Sequence, residues 1–317
     1  MDLIGMHHVT AITADIRRNH RFYTTVLGLR LVKRSVNQDD VSAYHLFYAD
    51  AVGSPGTDFT FFDWPTPPER RGTHSIVRTQ FRVAGRGSLE WWAARLHEQG
   101  VVTSGVDERD GRAVLDFEDP EGQRLALIGD DGQGPDPQIW EASPVPAAHQ
   151  IRGLGPPIMS VPSVTQTEAL LTRALGMGRA RTYALKGAAQ PNVHVYEMGA
   201  GGAHAELHVA VEPDLPMARQ GAGGVHHMAF RTPNEDEYHA WTDRLNSLAV
   251  PNSGEIDRFW FRSLYFREPN GVLFEIATDG PGFAVDEDIS ALGERIVLPP
   301  FLEHRREAIV ANLQPLG

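Results

Sequence analysis

Two short segments of this chain match without a gap: His7-His8-Val9-Thr10-Ala11-Ile12-Thr13 and His226-His227-Met228-Ala229-Phe230-Arg231-Thr232. Both read as strands, and neighbouring side chains of a strand point to opposite faces, so one imidazole of each pair can enter a shared cavity. A carboxylate, Glu275, stands in the apolar run Gly271-Val272-Leu273-Phe274-Glu275-Ile276-Ala277. Ionised and alone there it would cost several kcal/mol, so it must be neutralised, ion-paired or bound to a metal. Two histidines and one carboxylate from strands lining one cup form the face of a non-haem Fe(II) site that keeps coordination positions open. The chain has no cysteine, so thiolate ligands, iron–sulfur clusters and disulfides are excluded and any metal must rely on His, Asp and Glu. Thr57 to Phe62, the expected counterpart of the Glu275 strand, holds neither Glu nor His, and Asp58 sits only at its start. Three protein ligands leave room for substrate and dioxygen, whereas a fourth carboxylate would favour an isomerase-like site.

The elements that must position these groups repeat four times. Met6 to Leu31 reads as a strand followed by a helix that opens at Asp15 and closes at Gly28, and three strands come after it: Leu31 to Val36, Ala43 to Tyr48 and Thr57 to Phe62. The same order returns from Ser75, with Ser88 as the expected helix cap and Gly100 as its end, from Gly153, and from Gly224. Four βαβββ modules in an α+β fold are therefore expected. Gly129 to Ala148, rich in Asp, Gly and Pro, reads as a linker, giving an N-terminal domain 1–143 and a C-terminal domain 147–317 with its tail. That tail is expected to pack on the second domain and to end in a helix over Phe301 to Leu313. Only the outer two modules carry a His pair. His45, His74, His194, His204 and His208 do not recur at that position and read as structural. Phe47, Phe61, Phe230, Trp260 and Phe266 are candidate apolar walls.

Composition narrows the partners. The 317 residues carry a net charge of −12, which disfavours nucleic acid and anionic membrane surfaces. No run approaches the roughly 18 apolar residues of a spanning helix, and no signal segment opens the chain, so a cytoplasmic protein is expected. A homo-oligomer is the base-rate expectation.

The modules, and the motifs GMHHVTAITAD, FYTTVLGLRLVKRSVNQDD, GSPGTDFTFFDWP, GGVHHMAFRT and RSLYFREPNGVLFEIATDGPGF, resemble the vicinal oxygen chelate superfamily, and within it the ring-cleaving dioxygenases related to hydroquinone 1,2-dioxygenases. The resemblance implies two glyoxalase/extradiol-dioxygenase-like domains with Fe(II), or alternatively Mn(II), on His8, His227 and Glu275. It places His7, His226, Thr10, Arg258 and Tyr265 beside the substrate, with Arg262 a competitor for the arginine role. Implied reactants are O2 and a small hydroquinone- or catechol-type aromatic. A glyoxalase-like lyase or isomerase, and a non-catalytic protein sequestering an aromatic toxin, are the rival readings.

Overall fold

The computed structural model describes residues 1–190 and 192–316. Module one comprises β1 (Met6–Thr13), α1 (Ile16–Arg21), β2 (Arg30–Val36), β3 (Tyr44–Ala49) and β4 (Asp58–Asp63). Module two has β5 (Ser75–Val83), α2 (Arg86–Glu98), β6 (Thr103–Arg109), β7 (Arg112–Glu118) and β8 (Arg124–Gly129). Module three has β9 (Ile158–Val161), α3 (Thr165–Ala169), β10 (Gly178–Tyr183), β11 (Val193–Glu197) and β12 (Glu206–Val211). Module four has β13 (Val225–Thr232), α4 (Glu235–Ser247), β14 (Ile256–Asp257), β15 (Phe261–Arg267) and β16 (Leu273–Pro281). The fold is α+β, with four βαβββ modules as expected.

Local signals account for the helix ends. The Asp15 carboxylate accepts from Arg18 N and caps α1, which continues as a wider turn over Phe22–Val26 and stops before Gly28 at φ +72°. Ser88 is not the cap of α2. The helix begins earlier, with Gly85 at the N-cap, and the Ser88 hydroxyl instead meets His149 Nδ1 at 3.2 Å.

A single module would leave its first strand with an unpaired edge. The edge is removed by pairing modules: one eight-stranded sheet runs β14-β15-β16-β13-β1-β4-β3-β2 and the other β10-β11-β12-β9-β5-β8-β7-β6. Modules one and four thus share one curled sheet, and modules two and three share the other. The division into 1–143 and 147–317 follows the linker, whereas both sheets pair across it. The β1–β13 seam is antiparallel and sets Thr10 opposite His227 and Val9 opposite Met228. One continuous core, including Tyr23, Phe59, Phe61, Phe81, Trp92 and Trp241, is buried among the elements of both sheets.

The tail packs on the second domain, where the Trp260 indole donates to Asp286 Oδ2 at 3.0 Å, and equally on module one. β2 is the outermost strand of its sheet and carries a fully buried lysine, which must be paired to be tolerated. Lys33 Nζ donates to Phe283 O at 3.0 Å, to Asp286 Oδ1 at 2.8 Å and to Glu287 Oε2, while Ile296 bridges to Arg34. The helix expected at the end is a 3₁₀ turn, Pro300–Arg305, followed by α5 (Arg306–Asn312). Among the described residues no helix is long and apolar enough to cross a membrane.

Candidate metal centre

Strands β1, β13 and β16 are adjacent, and each contributes one group to the same point on the sheet face. His8 Nε2 lies 3.3 Å from His227 Nε2, and Glu275 Oε2 lies 3.2 Å from the first and 3.0 Å from the second. Three ligand atoms held about 2.1 Å from one ion at right angles would stand about 3 Å apart, so the triangle has the size of a facial metal set. Glu275 Oε2 is buried and forms no aligned hydrogen bond despite both nitrogens beside it. The three atoms converge on a common point, and the buried Glu275 Oε2 is left without a hydrogen bond there, which is the arrangement a cation would satisfy. The other carboxylate oxygen is held by Ser263 Oγ at 2.5 Å. Burial by itself would raise the Glu275 carboxyl, but His8 and His227 hold it well below the usual range.

Each candidate ligand histidine is backed by the preceding histidine of its pair. His8 Nδ1 meets His7 Nδ1 at 2.9 Å, and His7 Nε2 meets the Thr278 carbonyl at 3.0 Å. One tautomer set satisfies all of this: His7 Nε2–H donates to Thr278 O, His8 Nδ1–H donates to His7 Nδ1, and His8 Nε2 carries a lone pair toward the convergence point. His227 Nδ1 meets His226 Nδ1 in the same way at 2.8 Å. Burial, and then the adjacent imidazole, lowers both His7 and His226 to about 3, so both are neutral and able to accept.

Above the triangle is a small, partly open cavity of about 30 Å³, lined by His8, His45, His227, Arg258 and Tyr265 with Phe47, Phe62, Trp260 and Phe261. Its mouth is bridged by Asp39, which pairs with Arg258 at 2.8 Å, and by Gln38, whose amide donates to Arg258 O at 2.8 Å. Arg258 lies over the Tyr265 ring at 5.4 Å, and that ring stands edge-on to His227 at 5.7 Å. A larger open groove of about 790 Å³, lined by Arg18, Arg21, Arg78 and Asp116, holds neither of the two clusters of potential metal ligands found among the described residues.

The model of the Glyoxalase/Bleomycin resistance protein/Dioxygenase superfamily matches residues 5–127 and 153–276, so both halves of the repeat are covered. The chain belongs to this superfamily. It is 46% identical over 318 residues to "Putative ring-cleaving dioxygenase MhqA" of Bacillus subtilis, covering 100% of both chains. It is 30% identical over 319 residues to the chlorohydroquinone/hydroquinone 1,2-dioxygenase of Sphingobium indicum, covering 98% of this chain and 95% of that one. A crystal structure of a "putative dioxygenase" from Bacillus subtilis superposes with a TM-score of 0.88 at 32% identity, over 99% of this chain and 97% of the other. Dioxygenase homologues of this extent make the chain a member of the dioxygenase side of the superfamily.

Within this superfamily fold the strand registers identify the fourth corner of the site. Two residues beyond the second histidine, β13 pairs Ala229 with Glu275, and β1 pairs Thr10 with Thr60. Thr60 therefore occupies the place that mirrors Glu275. A neutral hydroxyl stands where a fourth carboxylate would stand, and Asp58 is displaced by two residues along β4. Thr10 Oγ1 lies 2.8 Å from Thr60 Oγ1 and 3.1 Å from His227 Nε2.

The structure brings His8, His227, Glu275, Thr10, Arg258 and Tyr265 around one point. His7 and His226 lie behind the candidate ligands, outside the cavity wall. Arg262 faces away and pairs with Glu235 at 3.0 Å and Asp257 at 2.7 Å. Phe47 and Trp260 line the cavity, whereas Phe61, Phe230 and Phe266 are core. Phe62 takes the place of Phe61, because adjacent strand residues face opposite sides, and Phe261 joins Trp260 in the lining. His45, read from the sequence as structural because it has no counterpart in the repeat, lines the cavity instead, since the β3 register turns it inward.

A second group of potential ligands, Asp110, Glu206 and His208, lies in the other sheet. There Glu206 already accepts from both Arg112 nitrogens at 2.7 and 2.8 Å, from Arg181 at 2.9 Å and from His208 at 3.0 Å. Two guanidinium groups neutralise the two carboxylates, so a cation placed there would meet positive charge. This cluster is an internal ion-pair network.

Proposed function

We propose that this chain is an extradiol-type ring-cleaving dioxygenase that holds Fe(II) on His8, His227 and Glu275 and acts on a hydroquinone- or catechol-type aromatic with O2. The observation that carries the reading is the ligand triangle, with its unpartnered Glu275 Oε2, at the floor of an aromatic-walled cavity. Bound there, iron would supply a Lewis-acidic centre with open positions at which ring and dioxygen can meet. The protein's own groups do the rest. His7 and His226 fix the ring orientation and tautomer of the two ligand histidines, and Ser263 fixes the carboxylate. Phe47, Phe62, Trp260 and Phe261 exclude water and hold the substrate plane. Tyr265 is held protonated, because burial and then Glu275 raise its hydroxyl far above its ordinary value, so it donates a hydrogen bond to a substrate oxygen. The Arg258 guanidinium beside it favours negative charge developing on that oxygen.

Thr60 at the mirror position of Glu275 disfavours the lyase or isomerase reading, which needs a more fully coordinated metal. The assembled triad disfavours a metal-free binding protein. The test is anaerobic reconstitution with Fe(II) followed by oxygen uptake against a panel of hydroquinones and catechols. Uptake matched to ring loss is expected. Stoichiometric iron with no uptake for any ring diol would refute the reading.

A further inference from the structure

From the β1–β13 seam the strand order is symmetric: β4 and β16 lie next, then β3 and β15. On one side β15 places Tyr265 opposite Glu275, and on the other β3 places Phe47 opposite Thr60. Two residues along, Ser263 and His45 are likewise mirror partners. Ser263 binds Glu275 Oε1, and His45 Nε2 meets Thr60 Oγ1 at 3.0 Å. The two walls thus share one backbone plan, and at this position module one puts an imidazole where module four puts a hydroxyl.

A ring that sets one oxygen at the ligand triangle beneath Tyr265 extends from there toward β3. The polar cavity-lining side chains on that side are Asn37, Gln38, Asp39 and His45. Three of them are tied to the protein through at least one group: Asn37 Oδ1 accepts from the backbone of Asp39 and Asp40, Gln38 donates to Arg258 O, and Asp39 pairs with Arg258. His45 keeps its ring nitrogen Nδ1 without a hydrogen bond among the described residues, and unlike the Asn37 and Gln38 side chains it is held in place by aromatic rings on both sides. Its ring is gripped between Phe47 at 3.9 Å and Phe62 at 4.5 Å, and its Nε2 is anchored on Thr60 Oγ1, which in turn meets Thr10 Oγ1 at 2.8 Å.

We propose that His45 is a substrate-specificity residue whose Nδ1 hydrogen-bonds the second hydroxyl of a dihydroxylated ring, the one not presented to the metal. The proposal rests on the ring-cleaving reading and names which feature of the substrate the far wall selects. A neutral imidazole has one donor and one acceptor nitrogen and a ring hydroxyl serves either, so with Nε2 engaged on Thr60 Oγ1 the free Nδ1 pairs with that hydroxyl in either tautomer. A ring with no second hydroxyl leaves that nitrogen unpaired in a buried site, which is how such a wall discriminates.

The experiment uses the full-length, metal-loaded protein without oxygen, so that no ring is consumed, and compares binding of hydroquinone with phenol by calorimetry. The wild type is expected to favour hydroquinone by roughly tenfold, the size of one such hydrogen bond. His45→Phe, which keeps the ring stack, should bring hydroquinone down to the phenol level while phenol affinity and metal content stay unchanged. Thr60→Val, which removes the Nε2 anchor with little change in volume, should weaken hydroquinone selectively too, and it guards against a folding defect in the first variant. An unchanged hydroquinone-to-phenol ratio in both variants would overturn the role of His45, as would equal weakening of the two ligands. A loaded wild type that binds no ring diol at all would instead refute the ring-cleaving reading beneath it.

Discussion

Replacing His7 by Phe separates support of the metal ligands from direct contact with substrate. His7 is 3% exposed, and its Nδ1 is the hydrogen-bond partner of His8 Nδ1. Phe preserves the aromatic volume against Phe261, 5.3 Å away, but leaves the His8 Nδ1–H without a partner in a site closed to water. Losing the partner of a ligand histidine costs about 10–100-fold in metal affinity, equivalent to about 1.4–2.7 kcal/mol. His226→Phe removes the equivalent contact from His227, but His226 is only half-buried, and water can replace the bond. The loss there should be less than about tenfold. Competition with a fluorescent chelator for Mn(II) or Zn(II), which avoids iron oxidation, measures both affinities. A His7→Phe variant with wild-type affinity, or the reverse order of the two variants, would refute the support role.

Further outcomes follow from the same geometry. His8→Ala, His227→Ala and Glu275→Gln should each fall well below one metal per chain and lose oxygen uptake, measured by elemental analysis and an oxygen electrode. Arg258→Met should lower turnover while leaving metal content intact, and Arg262→Met should leave turnover unchanged, because only the first lines the cavity. Lys33→Met strands Glu287, buried at 6% exposure, and should cost about 3–5 kcal/mol, read as a lower melting temperature and faster proteolysis of the tail. For metal-free protein the folded values of His7 and His226, about 3, lie below the ordinary 6.5. The unfolded chain therefore binds protons first on acidification. The stability due to these neutral rings is complete above pH 6.5 and is lost as pH falls toward 3. A His7→Phe/His226→Phe double variant should show a flatter melting profile across that window, and an unchanged slope would remove these rings as its cause.

The parts of this architecture that were legible in the chain were those carried by local pattern and by recurrence. Asp15 and Gly28 bracket α1, the His pairs repeat at one point of two modules, and Glu275 interrupts an apolar strand. The features that escaped depend on register and on distant pairing. Phe61 and Phe62 are adjacent and equally aromatic, and only strand parity sends one to the core and the other to the cavity. His45 carries no repeat signal, and its value arises from its place on β3 beside β4. Lys33 reads as an ordinary strand lysine until the tail brings Asp286 and Glu287 against it from some 250 residues away.

Joining the first module to the fourth makes the centre wait for the last of the four modules to be synthesised. β1 finds its neighbour β13 only after more than two hundred further residues exist, and the carboxylate arrives later still on β16. Until then the nascent chain holds one histidine pair on an open strand edge, exposed to mispairing while modules two and three can already close together. A ribosome stalled before residue 275 would carry three complete modules with no complete triad, so no ion could be gripped by all three groups before then.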